Sequence, residues 1–271
     1  MIDVNASLGH WPFWQLKHNT PTGLLKLMDS MGIRSAVVAP FEGLLYKDVQ
    51  VANRRLHREI SRYRRRLLPF SVINPKFPDW RRDLNQCTKE LKTGGIRLFP
   101  SYHGYEISDS CCKELLAELQ QRDLPVQIAP VIEDPRMHHP RVAVPAANID
   151  TLPQLLEEFP KLRIAVLNTK IFQFMPGNIS KRNREVLPRA ANFFADIAWT
   201  DSFAGVDELI KLVGLKSVMF GTNAPLLLPL SAVYKLKEAT LSKAALNAVT
   251  NKNALKFLGS SGKVFKNSAA H

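Results

Sequence analysis

A chain of 271 residues, 45% apolar and 23% charged, has ordinary globular composition and is long enough to bury a core without covalent staples. Its three cysteines, Cys87 and the adjacent Cys111 and Cys112, form neither a disulfide framework nor a C-x-x-C metal pattern, and they fit helices in a reducing compartment. No apolar run reaches the roughly 18 residues needed to span a membrane. Met1-Ile2-Asp3-Val4 lacks the basic start and apolar stretch of a signal peptide, so a soluble cytoplasmic protein is expected.

Short apolar or alternating runs predict strands, and runs of 3.6-residue period predict helices. In chain order they are strand Ile2–Leu8, helix Pro21–Met31, strand Ser35–Pro40, helix Val51–Arg66, strand Leu67–Asn74 and helix Asp79–Lys92. Strand Gly95–Pro100, helix Asp109–Arg122, strand Pro125–Val131, helix Leu152–Phe159, strand Leu162–Asn168 and helix Ser180–Ala190 follow. The chain closes with strand Asn192–Trp199, helix Val206–Leu212, strand Ser217–Gly221 and a helical run Leu230–Leu258 in two pieces. Gly32, Gly94 and Gly214 follow helical runs as C-terminal caps. Eight β-then-α units predict an α/β fold, a (β/α)8 TIM barrel in a single domain over residues 1–259, with a polar tail at 260–271 that frays. Gly-x-Gly-x-x-Gly does not follow the first strand, which counts against a dinucleotide fold.

The formal net charge of +13 is partly concentrated between Arg54 and Arg66. Val51, Leu56, Ile60 and Tyr63 recur there at helical spacing, which predicts a solvated face for the arginines. No nucleic-acid module or aromatic interleaving accompanies this charge, so a nucleic-acid partner is not expected. A basic field does favour small anionic substrates.

Barrels of this type build their sites at the C-terminal ends of the strands. The loop after strand 5, Glu133-Asp134-Pro135-Arg136-Met137-His138-His139-Pro140, joins acids, a guanidinium and two imidazoles. Neighbours in an extended segment face opposite sides, so one of His138 and His139 points inward, and His139 is taken as a catalytic acid–base oriented by Asp134. Arg136 would fix an anion beside Glu133. His103 is a second acid–base candidate, with Tyr102 beside it at strand 4, where Arg97 would hold a substrate carboxylate. His10 lies against Trp11 and Phe13 in an aromatic wall. Asn5, Asn168 and Asn223 would converge, their amides binding one another, a water or a substrate carbonyl. Strand 7 offers Asp196 and Trp199, while His18, His57 and His271 read as surface residues.

Several segments, in order, resemble the amidohydrolase-related family. Ile2-Asp3-Val4-Asn5-Ala6-Ser7-Leu8-Gly9 is similar to its opening Ile-Asp-x-His-x-His-x-Gly, and Gly95-Ile96-Arg97-Leu98-Phe99-Pro100 to its Gly-x-Lys/Arg-Leu-x-Pro. Pro160-Lys161-Leu162 resembles the lead-in to strand 6, Phe220-Gly221-Thr222-Asn223-Ala224-Pro225 resembles Phe-Gly-Ser/Thr-Asp-x-Pro, and Asn253-Ala254-Leu255-Lys256-Phe257-Leu258 the closing helix. The resemblance implies metal ligands after strands 1, 5, 6 and 8, where this chain holds Asn5, Ser7, Ala129, Asn168 and Asn223. Neutral amides supply no charge to an ion. The expectation is therefore a hydrolase without metal or other cofactor, acting on a small anionic ester or lactone, since the wider superfamily includes metal-independent lactonases. Two alternatives stand beside it: a non-catalytic ligand-binding barrel, and a zinc hydrolase with a site relocated to Asp134, His138, His139 and His103. A homo-oligomer is compatible with either.

Overall fold

The computed structural model describes residues 1–170 and 181–266. Its strands are β1 (Ile2–Leu8), β2 (Ser35–Pro40), β3 (Leu67–Val72), β4 (Gly95–Leu98), β5 (Val126–Ile128), β6 (Ile164–Val166), β7 (Phe193–Asp196) and β8 (Val218–Met219). Each falls within its predicted run. All pair in parallel in the order β1 to β8. The first and last strands meet where Val4 N donates to Phe220 O at 3.0 Å and Ser7 N to Ala224 O at 2.8 Å. The fold is a single-domain (β/α)8 barrel.

The helices are α1 (Pro21–Ser30), α2 (Val49–Glu59), α3 (Trp80–Lys89), α4 (Pro100–His103), α5 (Ser110–Gln121) and α6 (Leu152–Glu158). After them come α7 (Lys181–Val186), α8 (Gly205–Val213), α9 (Pro229–Glu238), α10 (Lys243–Asn247), α11 (Asn253–Leu258) and α12 (Lys263–Lys266). Ser180, the expected start of the seventh helix, lies outside the described residues.

Helix α2 corrects the sequence reading. It stops at Glu59, seven residues short of Arg66, and a 3-10 turn at Ser61–Tyr63 leads into β3. It buries Val49, Ala52, Asn53, Leu56 and His57, whereas Val51 is 48% exposed. The inward stripe is thus set by small and polar residues that can bond the sheet. Asn53 Nδ2 donates to Val72 O at 2.9 Å and its Oδ1 accepts from Val72 N at 2.8 Å. His57, expected at the surface, lies buried with its ring nitrogens 2.8 Å from Leu91 O and 3.2 Å from Ser71 Oγ. Burial holds its imidazole down to about 4, so it is neutral at physiological pH. Part of the arginine run is also engaged internally. Arg55 pairs with Glu42 and Glu59, Arg66 with Asp29, and Arg64 bonds Leu91 O.

Side chains between strands and helices form the largest apolar cluster, and a second fills the lower barrel. Phe257 and Phe265 close that second cluster from below, with Phe257 5.4 Å from Phe194, ring centre to ring centre. Beyond residue 259 the chain continues through α12 to Lys266, where Phe265 has no exposed surface. Residues 267–271 lie outside the described residues. A third cluster, built on Trp11, Phe41, Phe99, Ala129 and Leu167, caps part of the barrel mouth.

Candidate active site

The strand ends are prepared by a polar layer inside the barrel. The β1 register shifts between Asp3 and Ala6, an irregularity that re-aims side chains. Asp3 braces it: Oδ1 accepts from Asn5 N at 2.9 Å and from Thr222 N at 3.1 Å, and Oδ2 accepts from Thr222 Oγ1 at 2.6 Å. Arg97, 1% exposed, spends its donors within the wall, giving Nε to Gln127 Oε1 at 2.8 Å and Nη1 to Ala6 O and Ser7 Oγ at 3.1 Å. Burial lowers its pKa to about 10, and the charges of Asp3 and Asp196 resist that shift, so it stays cationic at neutral pH.

Above this layer the three asparagines form two groupings. Asn5 Nδ2 donates to Asn168 Oδ1 at 2.7 Å and to Asp196 Oδ2 at 2.6 Å, while Asp196 Oδ1 accepts from Asn168 N at 2.9 Å. Asn168 Nδ2 donates to Val131 O at 2.8 Å and Asn223 Nδ2 to Ile132 O at 3.0 Å. Asn168 and Asn223 both sit at positive φ, 55° and 54°, a conformation that asparagine tolerates better than other side chains with a Cβ. Burial raises the Asp196 carboxyl to about 6. Asp196 is a lone charge in the apolar run Phe193-Phe194-Ala195-Asp196-Ile197-Ala198, and that contrast is the sequence signal for its role.

This donor set does not fit a divalent ion. An ion requires lone pairs aimed at one point. Here the point where Asn168 Oδ1 and Asp196 Oδ2 converge is held by a nitrogen carrying two protons. The other amide nitrogens are committed to backbone carbonyls. Among the described residues, no group of three or more His, Cys, Asp or Glu is placed to hold a metal.

Beside the amides lies a cavity of about 340 Å3, formed by the loops after β5, β7 and β8 together with Trp14. Such a volume suits a small organic molecule. Trp14, Trp199, Ile132, Leu226 and Leu227 make its walls largely apolar, and Glu133, Asp134 and Asp201 are the acids on its lining. No lysine or arginine lines it among the described residues. Glu133 is 5% exposed, and its Oε2 is buried without a hydrogen-bond partner among the described residues. Burial pushes its carboxyl up to about 7, the range in which a carboxyl group both gives and takes a proton at physiological pH. Trp199 brings an indole N–H that is likewise buried and unpartnered.

The structure gathers only part of the predicted set here. Glu133, Asp134 and Asn223 line the cavity; His138, His139, His103, His10, Tyr102, Arg97 and Arg136 do not. His139 is exposed, stacked on Phe13 with ring centres 6.1 Å apart, and His138 is half-buried. Arg136 turns outward, 88% exposed, and grips Asp134 with Nε and Nη2 at 2.9 and 2.8 Å. That grip holds the Asp134 carboxyl well below the usual carboxylate range. His103 Nε2 lies 2.9 Å from Gly43 O, and burial lowers its pKa. Burial, then the charge of Glu133, raises the Tyr102 phenol. His10 is exposed, with its backbone N donating to Glu42 Oε1 at 2.8 Å. The proposed zinc ligands Asp134, His138, His139 and His103 thus do not assemble. Trp14, Asp201, Leu226 and Leu227 also line the cavity and carry no sequence signal, because no local period marks which loop side chains turn inward.

The family model described as amidohydrolase matches residues 9–260. Curated proteins give no match to the chain. Among solved structures, 2,6-dihydroxybenzoate decarboxylase from Rhizobium aligns with a TM-score of 0.70 at 15% identity, covering 95% of this chain and 97% of that one. 5-Carboxyvanillate decarboxylase from Sphingomonas paucimobilis gives 0.68 at 18%, covering 86% and 81%. Dihydroxybenzoic acid decarboxylase from Polaromonas sp. JS666, with bound manganese and the inhibitor 2-nitroresorcinol, gives 0.65 at 15%, covering 87% and 84%. At these identities the structural likenesses speak for the fold alone. The sequence match reaches further, since it spans most of the chain, and on that ground the protein belongs to the amidohydrolase family.

Proposed function

We propose that the protein is a hydrolase-like enzyme that acts on a small neutral ring, such as a lactone or cyclic amide, by carboxyl acid–base chemistry without a metal. The observation that carries this reading is Glu133: a carboxyl group poised near neutrality, with an unpartnered oxygen, on the wall of an apolar cavity at the catalytic face. Glu133 takes a proton from water as the water oxygen attacks the substrate carbonyl carbon. It then returns that proton to the leaving oxygen or nitrogen as the ring bond breaks. A neutral substrate replaces the anionic one expected from sequence, because Arg97 and Arg136 are both engaged elsewhere and the lining supplies carboxylates instead.

A panel of neutral lactones, cyclic amides and aromatic carboxylates tests this by turnover and by quenching of tryptophan fluorescence. Turnover confined to the neutral rings is expected. Release of carbon dioxide from hydroxybenzoates, with no turnover of the neutral rings, would overturn the reading.

A further inference from the structure

We propose that Asn168 and Asn223 are positioning residues for Glu133, clamping the two backbone carbonyls immediately before it and so holding its carboxyl at the cavity wall. This rests on the reading of Glu133 as the reacting group. The geometry is specific. Strand β5 ends at Ile128, and among the described residues no backbone ladder bond fixes the chain at Val131 and Ile132. In its place Asn168, beyond β6, donates to Val131 O at 2.8 Å, and Asn223, beyond β8, donates to Ile132 O at 3.0 Å. Both asparagines are almost wholly buried, 1% and 3% exposed, so both bonds are shielded from water.

The polarity of the clamp is set from below. The ionised Asp196 carboxylate only accepts, so Asn5 must turn its NH2 group toward it. The same NH2 group donates to Asn168 Oδ1, which leaves the Asn168 NH2 facing Val131 O. A carboxylate on β7 therefore fixes, through two amides, the loop that carries Glu133. Positions that the family resemblance assigns to metal ligands now orient a carboxyl group. The functions of ion and clamp are mutually exclusive, since the protons of Asn5 stand where an ion's ligands would have to converge.

The test is the titration of Glu133 itself, read by carbon NMR in protein labelled at the glutamate carboxyl carbon and assigned with Glu133→Gln. In the unmodified protein the midpoint is expected near 7. In Asn168→Ala it should fall by about one pH unit or more as the loop detaches and water reaches the carboxylate, with far-UV circular dichroism retained. Asn168 does not line the cavity, so this shift does not come from enlarging it. Asn223 does line the cavity, so Asn223→Leu, which keeps the side-chain volume and removes the donor, should lower the midpoint as well, and it decides the matter should Asn168→Ala fail to fold. A midpoint that stays near 7 in both folded variants overturns the clamp and leaves Glu133 standing. An ordinary glutamate midpoint in the unmodified protein overturns the reading of Glu133 and the clamp with it.

Discussion

Arg97→Met is expected to destabilise the barrel by about 3–5 kcal/mol, lowering Tm by roughly 10 °C, while ligand affinity in the folded protein changes little. The reason lies in what the guanidinium leaves behind. Its donors satisfy Gln127 Oε1, Ser7 Oγ and Ala6 O inside the wall, and its charge offsets the buried carboxylates of Asp3 and Asp196. Without it, the acceptors are orphaned in a medium that cannot solvate them. Burial already raises the pKa of both Asp3 and Asp196, and loss of the cation would raise it further. Arg97→Lys keeps the charge but not the forked reach, so an intermediate loss is expected. Chemical denaturation with titration of a bound ring checks this. Unchanged stability with a large loss of affinity would return Arg97 to the substrate-binding role that its place on strand 4 suggested.

Glu133→Gln carries the largest expected effect on activity, a loss of roughly 10²–10⁴-fold in turnover. The rate should climb about tenfold per pH unit below the pKa and level off above about 7, because the ionised form is the base. Stability should move the opposite way. The folded-state pKa of Glu133 is raised, so as pH rises from the ordinary glutamate range to about 7 the unfolded chain gives up its proton first. The stability conferred by the protonated form is full below that window and lost across it. Above pH 7, Glu133→Gln should therefore be the more stable protein, by on the order of 1 kcal/mol after screening by cavity water is allowed for. A variant that is both less active and more stable separates chemistry from folding.

The barrel was legible in the sequence because periodicity reports burial. Ile2–Leu8 and Ser35–Pro40 match the structure residue for residue, and the other six strands lie inside their predicted runs. The site was legible only as a neighbourhood. The sequence puts Glu133 and Asp134 beyond β5, Asn168 beyond β6 and Asn223 beyond β8, where the structure also has them, whereas the histidines that chemistry favours lie off the cavity. Past a strand end, side-chain direction depends on long-range bonds. Val131 and Ile132 are held by residues 37 and 91 positions away, a constraint that no local pattern encodes. The arginine stretch was misread at its inner edge for a related reason. Asn53 and His57 are buried through hydrogen bonds to the sheet, and hydrophobic spacing gives no sign of those bonds.

On the proposed reading, chemistry resides in the Glu133 carboxyl of the cavity and not in a metal at the strand ends. The most direct test of that reading is turnover of a neutral ring substrate by protein dialysed against a chelator, compared with Glu133→Gln. Turnover should survive the chelator and fall by roughly 10²–10⁴-fold in Glu133→Gln. Turnover lost to the chelator, restored by manganese or zinc and indifferent to Glu133→Gln would contradict it.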